Sequence, residues 1–267
     1  MIKMKIGFIG LGNMATAMIG GIVKKGIVTA DEIYGADSLK AAGEKARENL
    51  HIQVMDSNEE VVKAVDVVVL SVKPQFYPAV IAEIRSFVSE AQIVVTIAPG
   101  KTLEWLGEQF GRKVKLVRCM PNTPALVGEG CTGVCHNELV TWAELEEVLT
   151  ILRSFGTANL VPEHLMDVVV GVSGSSPAYV FMFIEAMADA AVADGMPRAQ
   201  AYEFAAQAVY GSAKMVLETG KHPAELKDMV CSPAGTTIEA VRVLEERGFR
   251  SAVIEAQKAC VDKSRSL

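Results

Sequence analysis

The feature that most constrains the fold of this chain is a regular alternation of strand and helix patterns over its first 160 residues. Short β-branched runs such as Lys5–Ile9 and Asp66–Ser71 are separated by amphipathic stretches such as Asn13–Lys25 and Thr102–Phe110. The run at 66–71 is almost continuously apolar, as expected for a strand covered on both faces. The alternation predicts right-handed βαβ units and a doubly wound, mostly parallel α/β sheet.

The chain changes character after Pro162. The segment from Pro177 to Ala193 is apolar on nearly every face, with only Glu185 and Asp189 charged. Such a helix must be buried on most sides, and a domain of about 100 residues offers little interior for it. We therefore predict an α/β domain at residues 1–161 and an all-helical domain at 162–267, with the apolar helix in a subunit interface.

Charge and composition exclude several functional classes. The chain has 26 Lys and Arg against 32 Asp and Glu, a net charge of −6, and no basic cluster, which argues against a nucleic-acid partner. No secretory signal is visible at the N-terminus. The apolar stretch 168–184 is interrupted by glycines, serines and a proline, which argues against a membrane span. We expect a cytoplasmic protein that acts on a small molecule, with no nucleic acid and no membrane.

The five cysteines and four histidines form no recognisable reactive motif. The cysteines are odd in number and scattered, so we expect reduced thiols. Cys131 and Cys135, followed by His136, look like half of a zinc site, but no second pair follows at finger or ribbon spacing. We predict no metal. No histidine stands in a motif with a carboxylate or serine, so a histidine general base is not favoured.

A glycine-rich turn, Gly10-x-Gly12-x-x-Ala15, lies between the first strand and the first helix. Gly10 permits a tight turn, Gly12 lets the backbone approach a pyrophosphate, and Ala15 allows close helix–strand packing. The helix N-terminus then favours the phosphates. A tight βα turn needs glycines whether or not it binds anything. In the first βα turn of such an array, however, the motif predicts a dinucleotide-binding, Rossmann-type domain.

Asp37 lies 25 residues after Gly12, at the end of the second predicted strand. A carboxylate there can accept hydrogen bonds from a ribose diol and repel a 2′-phosphate, which favours NAD(H). Ser38 and Lys40 follow at once and could instead bind that phosphate. Asp37 could also simply cap the next helix. These residues leave the choice between NADH and NADPH open.

Two hydroxyl-rich segments stand in the helical half. Val172–Tyr179 narrowly misses a hydrolase Gly-x-Ser-x-Gly motif, and it can be explained by Ser176 as an N-cap before Pro177. In Cys231–Glu239, Thr236 and Glu239 have capping-box spacing. A capping box does not explain the other hydroxyls of that segment. Several hydroxyls and free amides at a helix N-terminus would suit a small carboxylate.

Together, five segments resemble pyrroline-5-carboxylate reductase: Gly7–Met14, Ser71–Pro74, Met120–Ala125, Val172–Tyr179 and Leu226–Thr237. The likeness runs essentially from end to end. It implies that a hydride from NAD(P)H reduces the C=N bond of L-1-pyrroline-5-carboxylate to L-proline, the last step of proline biosynthesis. The resemblance favours NADP(H) as cofactor, with NAD(H) as the alternative. It further implies a dimer through residues 177–193, within a larger assembly such as a decamer, whose helical domains close over the partner's nucleotide domain.

The resemblance carries the family's contacts onto this chain residue by residue. Thr237 is the expected catalytic residue, as the hydrogen-bond partner of the ring nitrogen. The expected substrate-binding residues are Val172, Ser173, Gly174, Ser175, Ser232, Gly235, Thr236 and Thr237. The expected cofactor-binding residues are Ile9, Gly10, Leu11, Gly12, Asn13, Met14, Asp37, Ser38, Asn58, Ser71, Val72, Lys73, Pro74, Thr96, Ile97, Ala98, Met120 and Asn122. Asp37 departs from the family pattern, and so does Ala234, where glycine is usual.

The implied chemistry agrees with these residues. A protonated imine is already a good hydride acceptor, so the protein mainly supplies orientation and a water-poor site. Thr237 could orient the ring nitrogen or relay its proton. The rival β-hydroxyacid dehydrogenases rely on a lysine in the interdomain helix, and residues 177–193 contain none. A nucleotide sensor without catalysis would not need the hydroxyls of 232–237.

Overall fold

The computed structural model describes residues 4–266 and divides into two compact units. Unit 1 contains the residues up to Ser175 together with those from Cys260 onward, and unit 2 is Ser176–Ala259. Residues 162–175, which we predicted to open the second domain, therefore lie in unit 1. Two contacts account for this: Ser264 donates a hydrogen bond to Asp167 at 2.7 Å, and Val169 packs closely against Gly133.

Unit 1 is built, within the described residues, on one eight-stranded sheet. Its strands are β1 (Ile6–Ile9), β2 (Ile33–Ala36), β3 (Gln53–Val54), β4 (Val67–Leu70), β5 (Ile93–Thr96), β6 (Lys115–Met120), β7 (Gly130–His136) and β8 (Gly156–Leu160). They lie in the order β3-β2-β1-β4-β5-β6-β7-β8. The pairing of β6 with β7 is antiparallel, and the other neighbours are parallel. The predicted doubly wound, mostly parallel fold is confirmed.

The helical stretches predicted at residues 13–25, 102–110 and 177–193 form, with small shifts at their ends. Unit 1 contains α1 (Asn13–Lys24), α2 (Lys40–Leu50), α3 (Asn58–Ala64), α4 (Tyr77–Ile84), α5 (Leu103–Phe110), α6 (Trp142–Leu152) and α7 (Met166–Val169), followed by a π-helical segment, Val170–Gly174. Unit 2 contains α8 (Ser176–Ala193), α9 (Arg198–Thr219), α10 (Pro223–Val230), α11 (Thr236–Glu246) and most of α12 (Phe249–Arg265).

The sheet has an apolar core on each face. Alternate residues of a strand point to opposite faces, so Phe8 belongs to one buried cluster and its neighbour Ile9 to the other. The first cluster includes residues of α1 and α6, and the second includes residues of α4 and α5. This two-sided burial holds the carboxyl ends of the strands in fixed positions, and the candidate site lies at those ends.

An ion pair between the buried Arg118 and the partly exposed Glu163 links β6 to the segment that leads into α7. Arg118, whose side chain is 4% exposed, donates to Glu163 Oε1 at 3.0 Å. The same oxygen accepts the backbone N–H of Leu103, at the start of α5, at 2.7 Å. Burial raises the pKa of the nearby Cys135 thiol to about 12, and the charge of Glu163 adds to this effect. Glu163 thus connects three elements of unit 1.

Unit 2 has a small core of its own. Its buried cluster consists of Ala188, Ala201 and Ala205, with a few partly buried neighbours. Large side chains of α8 are exposed, including Phe181 at 62% and Met182 at 68%. The helical stretch Glu163–Ala193 is long and apolar enough to cross a membrane by length and composition, a test that core helices of soluble proteins also pass. The burial expected for α8 is therefore not provided within one chain.

Candidate active site

The glycine turn after β1 leaves room for a phosphate group. Gly10 has φ +96°, and a Cβ there would lie 2.9 Å from Val72. At Gly12, the N-cap of α1, a Cβ would meet no atom within 4 Å. The first turn of α1 contains no acidic residue, and its leading N–H groups have no intrahelical partner. The turn therefore fits the pyrophosphate of a dinucleotide.

Ser71, at the carboxyl end of β4, holds this turn in place. Its hydroxyl donates to the carbonyl oxygen of Gly10 at 2.7 Å and lies 3.1 Å from that of Ile9. Its backbone N–H also donates to Ile9. Ser71 was predicted as a cofactor contact, and in this structure its hydroxyl bonds to the turn.

Asp37 connects the same turn to β2. Its Oδ2 accepts the N–H of Leu11 at 2.7 Å, and its Oδ1 accepts the N–H of Leu39 at 2.9 Å. The interpretation of Asp37 as a helix N-cap was wrong, because α2 begins at Lys40 and Leu39 is its N-cap. Two backbone donors fix this carboxylate, one 26 residues away in the glycine turn and one two residues away before α2.

A cleft of about 220 Å³ opens beside the turn and gathers several predicted cofactor residues. Its lining consists of Ile9, Gly10, Ala36, Asp37, Ser38, Asn58, Val72, Phe76, Ala79, Val80 and Glu83. Six of these were predicted, whereas Ala36 and the residues from Phe76 onward were not. The sequence carried a signal for Phe76: it follows Lys73-Pro74 at a strand end, and it is 53% exposed. The cleft fits the adenosine half of a dinucleotide, with an apolar wall and polar groups at the end of β2.

Tyr77, the first residue of α4, connects the carboxyl ends of β4 and β5. Its hydroxyl donates to the carbonyl of Leu70 at 2.6 Å and lies 2.9 Å from Thr96 Oγ1. Burial raises the pKa of Tyr77 to about 12, so the phenol stays protonated. Thr96, a predicted cofactor contact, is fully buried, and its hydroxyl lies inside the protein. The sequence pattern treated Tyr77 as an ordinary core residue and did not single it out.

Asn122 connects the end of β6 to the predicted substrate segment of unit 1. Its Nδ2 donates to the carbonyl of Ser173 at 2.9 Å, and its Oδ1 accepts the N–H of Cys131 at 2.8 Å. The side chain is 7% exposed. Asn122 was predicted as a cofactor contact. Here its amide holds the Ser173 carbonyl, in the predicted substrate segment.

The predicted substrate segment Val172–Ser175 overlaps a π-helical turn, a feature often found at functional sites. Gly174 packs tightly, since a Cβ there would lie 3.1 Å from Met120. The Ser175 hydroxyl accepts a hydrogen bond from the Cys260 thiol at 3.2 Å. One residue, Ser175, separates the π-helical turn from α8, which begins at Ser176.

The second predicted substrate segment lies in unit 2, at the start of α11. Gly235 is the N-cap, and Thr236 and Thr237 are the first two helical residues. The predicted capping box is wrong, because Gly235 caps the helix without a side-chain hydrogen bond. Glu239 instead pairs with Arg242 at 2.7 Å. A Cβ at Gly235 would lie 2.3 Å from Ser232 Oγ, so glycine is required for this hydroxyl to keep its position.

Ala234, in the same turn, has φ +56°. This left-handed conformation strains a residue with a Cβ. We expect Ala234→Gly to stabilise the protein by up to about 1 kcal/mol, since strain is relieved and part of the gain is offset by unfolded-chain entropy. Urea denaturation would measure it. Ala240→Gly, the same change inside α11, is the control and should destabilise by about 1 kcal/mol. Equal losses in both variants would contradict the strain.

No metal site is found among residues 4–266: no group of three or more His, Cys, Asp or Glu side chains there could hold an ion. The five cysteines are free thiols. The polar groups of the candidate site are therefore backbone amides, hydroxyls and the Asp37 carboxylate.

Comparison with known proteins assigns the chain to a family. A family model described as "Pyrroline-5-carboxylate reductase dimerisation" matches residues 163–267. A second, described as "NADP oxidoreductase coenzyme F420-dependent", matches residues 5–100. The pyrroline-5-carboxylate reductase of Escherichia coli is 54% identical over 98% of each chain. The chain belongs to the pyrroline-5-carboxylate reductase family.

Other members of the family agree with this assignment. Pyrroline-5-carboxylate reductase 2 of Homo sapiens is 40% identical, over 99% of this chain and 84% of the human one. The crystal structure of the Plasmodium falciparum pyrroline carboxylate reductase with NADP bound matches with a TM-score of 0.91 and 33% identity, over 100% of this chain and 98% of that one. The resemblance stated from the sequence motifs is confirmed, and the chain is an oxidoreductase of this family.

Proposed function

We infer that the chain reduces the C=N bond of L-1-pyrroline-5-carboxylate to L-proline, the last step of proline biosynthesis. The observation that carries this is identity of 54% to the Escherichia coli reductase over 98% of both chains. NADP(H) is the cofactor, supported by the family model over residues 5–100 and by the NADP bound to the Plasmodium relative. NAD(H) is the alternative donor.

The chain's own groups on the cofactor side act by binding and orientation. When bound, the cofactor supplies the hydride for the C=N carbon. The turn Gly10–Met14 presents amides of the α1 N-terminus to the pyrophosphate. The cleft beside Asp37 receives the adenosine end. Tyr77 and Ser71 hold the strand ends that flank this cofactor. Holding the nicotinamide in a fixed position raises the rate of hydride transfer, because the reacting atoms must be close and aligned.

We assign the substrate to Val172–Ser175 and to Ser232–Thr237. The substrate carboxylate suits the N-terminus of α11, where unpaired amides and the Thr236 hydroxyl favour an anion. Thr237 holds the ring nitrogen, either orienting it or passing it a proton. Asn122 keeps the first segment in position through the Ser173 carbonyl. A protonated imine needs no further activation, which agrees with a site that lacks a histidine base.

The test is oxidation of reduced cofactor by the purified protein in the presence of pyrroline-5-carboxylate, with proline detected as the product. We expect turnover with NADPH, and NADH is assayed in parallel. Two comparison substrates are assayed. One is a 3-hydroxy acid, with the oxidised cofactor, and the other is an open-chain imine, with the reduced cofactor. Turnover of either comparison substrate with none of the ring substrate would refute the assignment.

The chain self-associates, as the dimerisation model over residues 163–267 and the exposed apolar face of α8 support. We propose that dimers assemble further, to a decamer. Light scattering is expected to give ten times the chain mass of 28.6 kDa. A mass of two chains would limit the assembly to the dimer and contradict the decamer. An active monomer would contradict both the dimer and the decamer. The division into a nucleotide-binding domain at 1–161 and a substrate-binding domain at 162–267 stays a prediction, as does the cytoplasmic location.

A further inference from the structure

We propose that the end of α12 positions the predicted substrate segment Val172–Ser175, and that Cys260 and Ser264 are positioning residues for binding of the ring substrate. The inference rests on the proposed function, because it requires that segment to contact the substrate. The residues of α12 from Cys260 onward belong to unit 1, as the segment does.

The end of α12 has one buried face. Val261 is 8% exposed and Ser264 is 3% exposed, whereas the two residues between them are exposed. Cys260 lies four residues before Ser264 and is therefore on the same side of the helix. A buried hydroxyl costs stability unless it has a hydrogen-bond partner. Apolar side chains would suit a helix end that only packs, so the two polar ones indicate directional contacts.

The Ser264 hydroxyl bonds to a different helix from its own. It donates to Asp167 Oδ1, 97 residues away, at 2.7 Å. A helical serine often donates instead to the carbonyl four residues before it, as Ser212 does to Ala208 in α9. Ser264 thus connects α12 to α7, which leads into the π-helical turn.

The Cys260 thiol bonds to the opposite end of that turn. It donates to Ser175 Oγ at 3.2 Å. Asp167 precedes the turn Val170–Gly174, and Ser175 follows it directly, so the two hydrogen bonds from α12 bracket the turn. A π-helical turn is rare, and contacts on both sides of it fix where its residues point.

The direction of the Cys260 hydrogen bond determines what the Ser175 hydroxyl can do. A serine hydroxyl donates one hydrogen bond and can accept two. Because its oxygen accepts the thiol hydrogen, the hydroxyl hydrogen of Ser175 remains available for an acceptor, which we assign to an oxygen of the substrate carboxylate. Without the thiol, this hydroxyl is free to rotate, and ordering it when the substrate binds costs affinity.

The experiment measures steady-state kinetics with pyrroline-5-carboxylate and the dissociation constant of NADPH, both on the assembled protein. Cys260→Ala and Ser264→Ala each remove one donor. We expect each to raise the KM of the ring substrate about three- to tenfold, the effect of one neutral hydrogen bond. The turnover number and the NADPH dissociation constant should change less than about twofold, because a loss of uniform substrate binding raises KM alone. Cys260→Ser and Ser264→Thr keep a donor and should restore most of the affinity.

Two further variants make the result specific. Ser266→Ala is the matched control, since this exposed hydroxyl donates only locally, to the carbonyl of Lys263 at 2.7 Å, and its loss should leave KM within about twofold. A double variant tests whether Cys260 acts through Ser175. Once Ser175→Ala has removed the acceptor, adding Cys260→Ala should raise KM no further.

An unchanged KM in Cys260→Ala and Ser264→Ala would overturn the inference. So would a lower turnover number and a lower Tm with KM unchanged, because the hydrogen bonds would then only stabilise the fold. Independent effects of Cys260→Ala and Ser175→Ala in the double variant would overturn the action through Ser175. If Ser264→Ala does not fold, the half-buried Cys260 variants decide the question alone. Failure of the unmodified protein to reduce pyrroline-5-carboxylate would instead overturn the proposed function.

Discussion

Thr237→Ala is expected to lower the turnover number at least about a hundredfold while the dissociation constant of NADPH stays within about twofold. Placing or protonating a reacting nitrogen is worth about 10²–10⁴ in rate. Thr237 stands in the first turn of α11 and is assigned to the substrate, whereas the pyrophosphate of the cofactor is assigned to the glycine turn. Its loss should therefore spare cofactor binding. Steady-state kinetics with pyrroline-5-carboxylate and a fluorescence titration with NADPH measure the two quantities.

Two variants make the Thr237 result specific. Thr237→Ser keeps the hydroxyl and should retain most of the turnover. Thr236→Ala removes the neighbouring hydroxyl and should raise the KM of the substrate more than it lowers turnover, because we assign Thr236 to the substrate carboxylate. If Thr237→Ala turns over as fast as the unmodified protein, Thr237 has no catalytic role.

Glu163→Ala is expected to destabilise unit 1 by about 3–5 kcal/mol, because it leaves the Arg118 guanidinium buried without a counter-charge. Arg118 is 4% exposed and its described ion pair is with Glu163. The same change removes the acceptor of the Leu103 N–H. Urea denaturation followed by circular dichroism measures the loss.

The control for Glu163 is an exposed ion pair in the same unit. Glu59, 41% exposed, pairs with Lys63 one helical turn away, and Glu59→Ala should cost less than about 0.5 kcal/mol. A double variant, Arg118→Met with Glu163→Leu, removes both charges and should recover much of the stability lost in Glu163→Ala. Equal losses for Glu163→Ala and Glu59→Ala would show that the buried pair contributes little.

Local patterns carry most of what the sequence could predict. The spacing of Gly10, Gly12 and Ala15, and the apolar run of β4, depend on neighbouring residues alone. The parallel sheet that they predicted is confirmed, and the turn lies between β1 and α1 as predicted. The apolar surface of α8 is the basis for predicting an interface there, because no feature of a small domain could bury it.

The contacts that complete the site are not local. Asp37 reaches Leu11 across 26 residues, and Asn122 reaches Ser173 across 51. Sequence periodicity contains no information about which loops meet at one edge of a sheet. Tyr77 was overlooked for the same reason, since a buried tyrosine between strand ends has the pattern of any core residue. The capping-box prediction at Thr236 was wrong because Gly235, one residue earlier, is the N-cap of α11.

The small core of unit 2 affects the stability of a newly synthesised chain before it associates. Phe181 and Met182 are exposed within one chain, and they lie in the part of the chain that the dimerisation model matches. The free energy that keeps this unit folded therefore includes a term in protein concentration, as mass action requires. A newly synthesised chain has no partner copy, so its apolar surface is exposed. Exposed apolar surface of this kind is prone to aggregation. The rate of encounter between copies, as much as the strength of any internal contact, determines how much active enzyme a cell obtains.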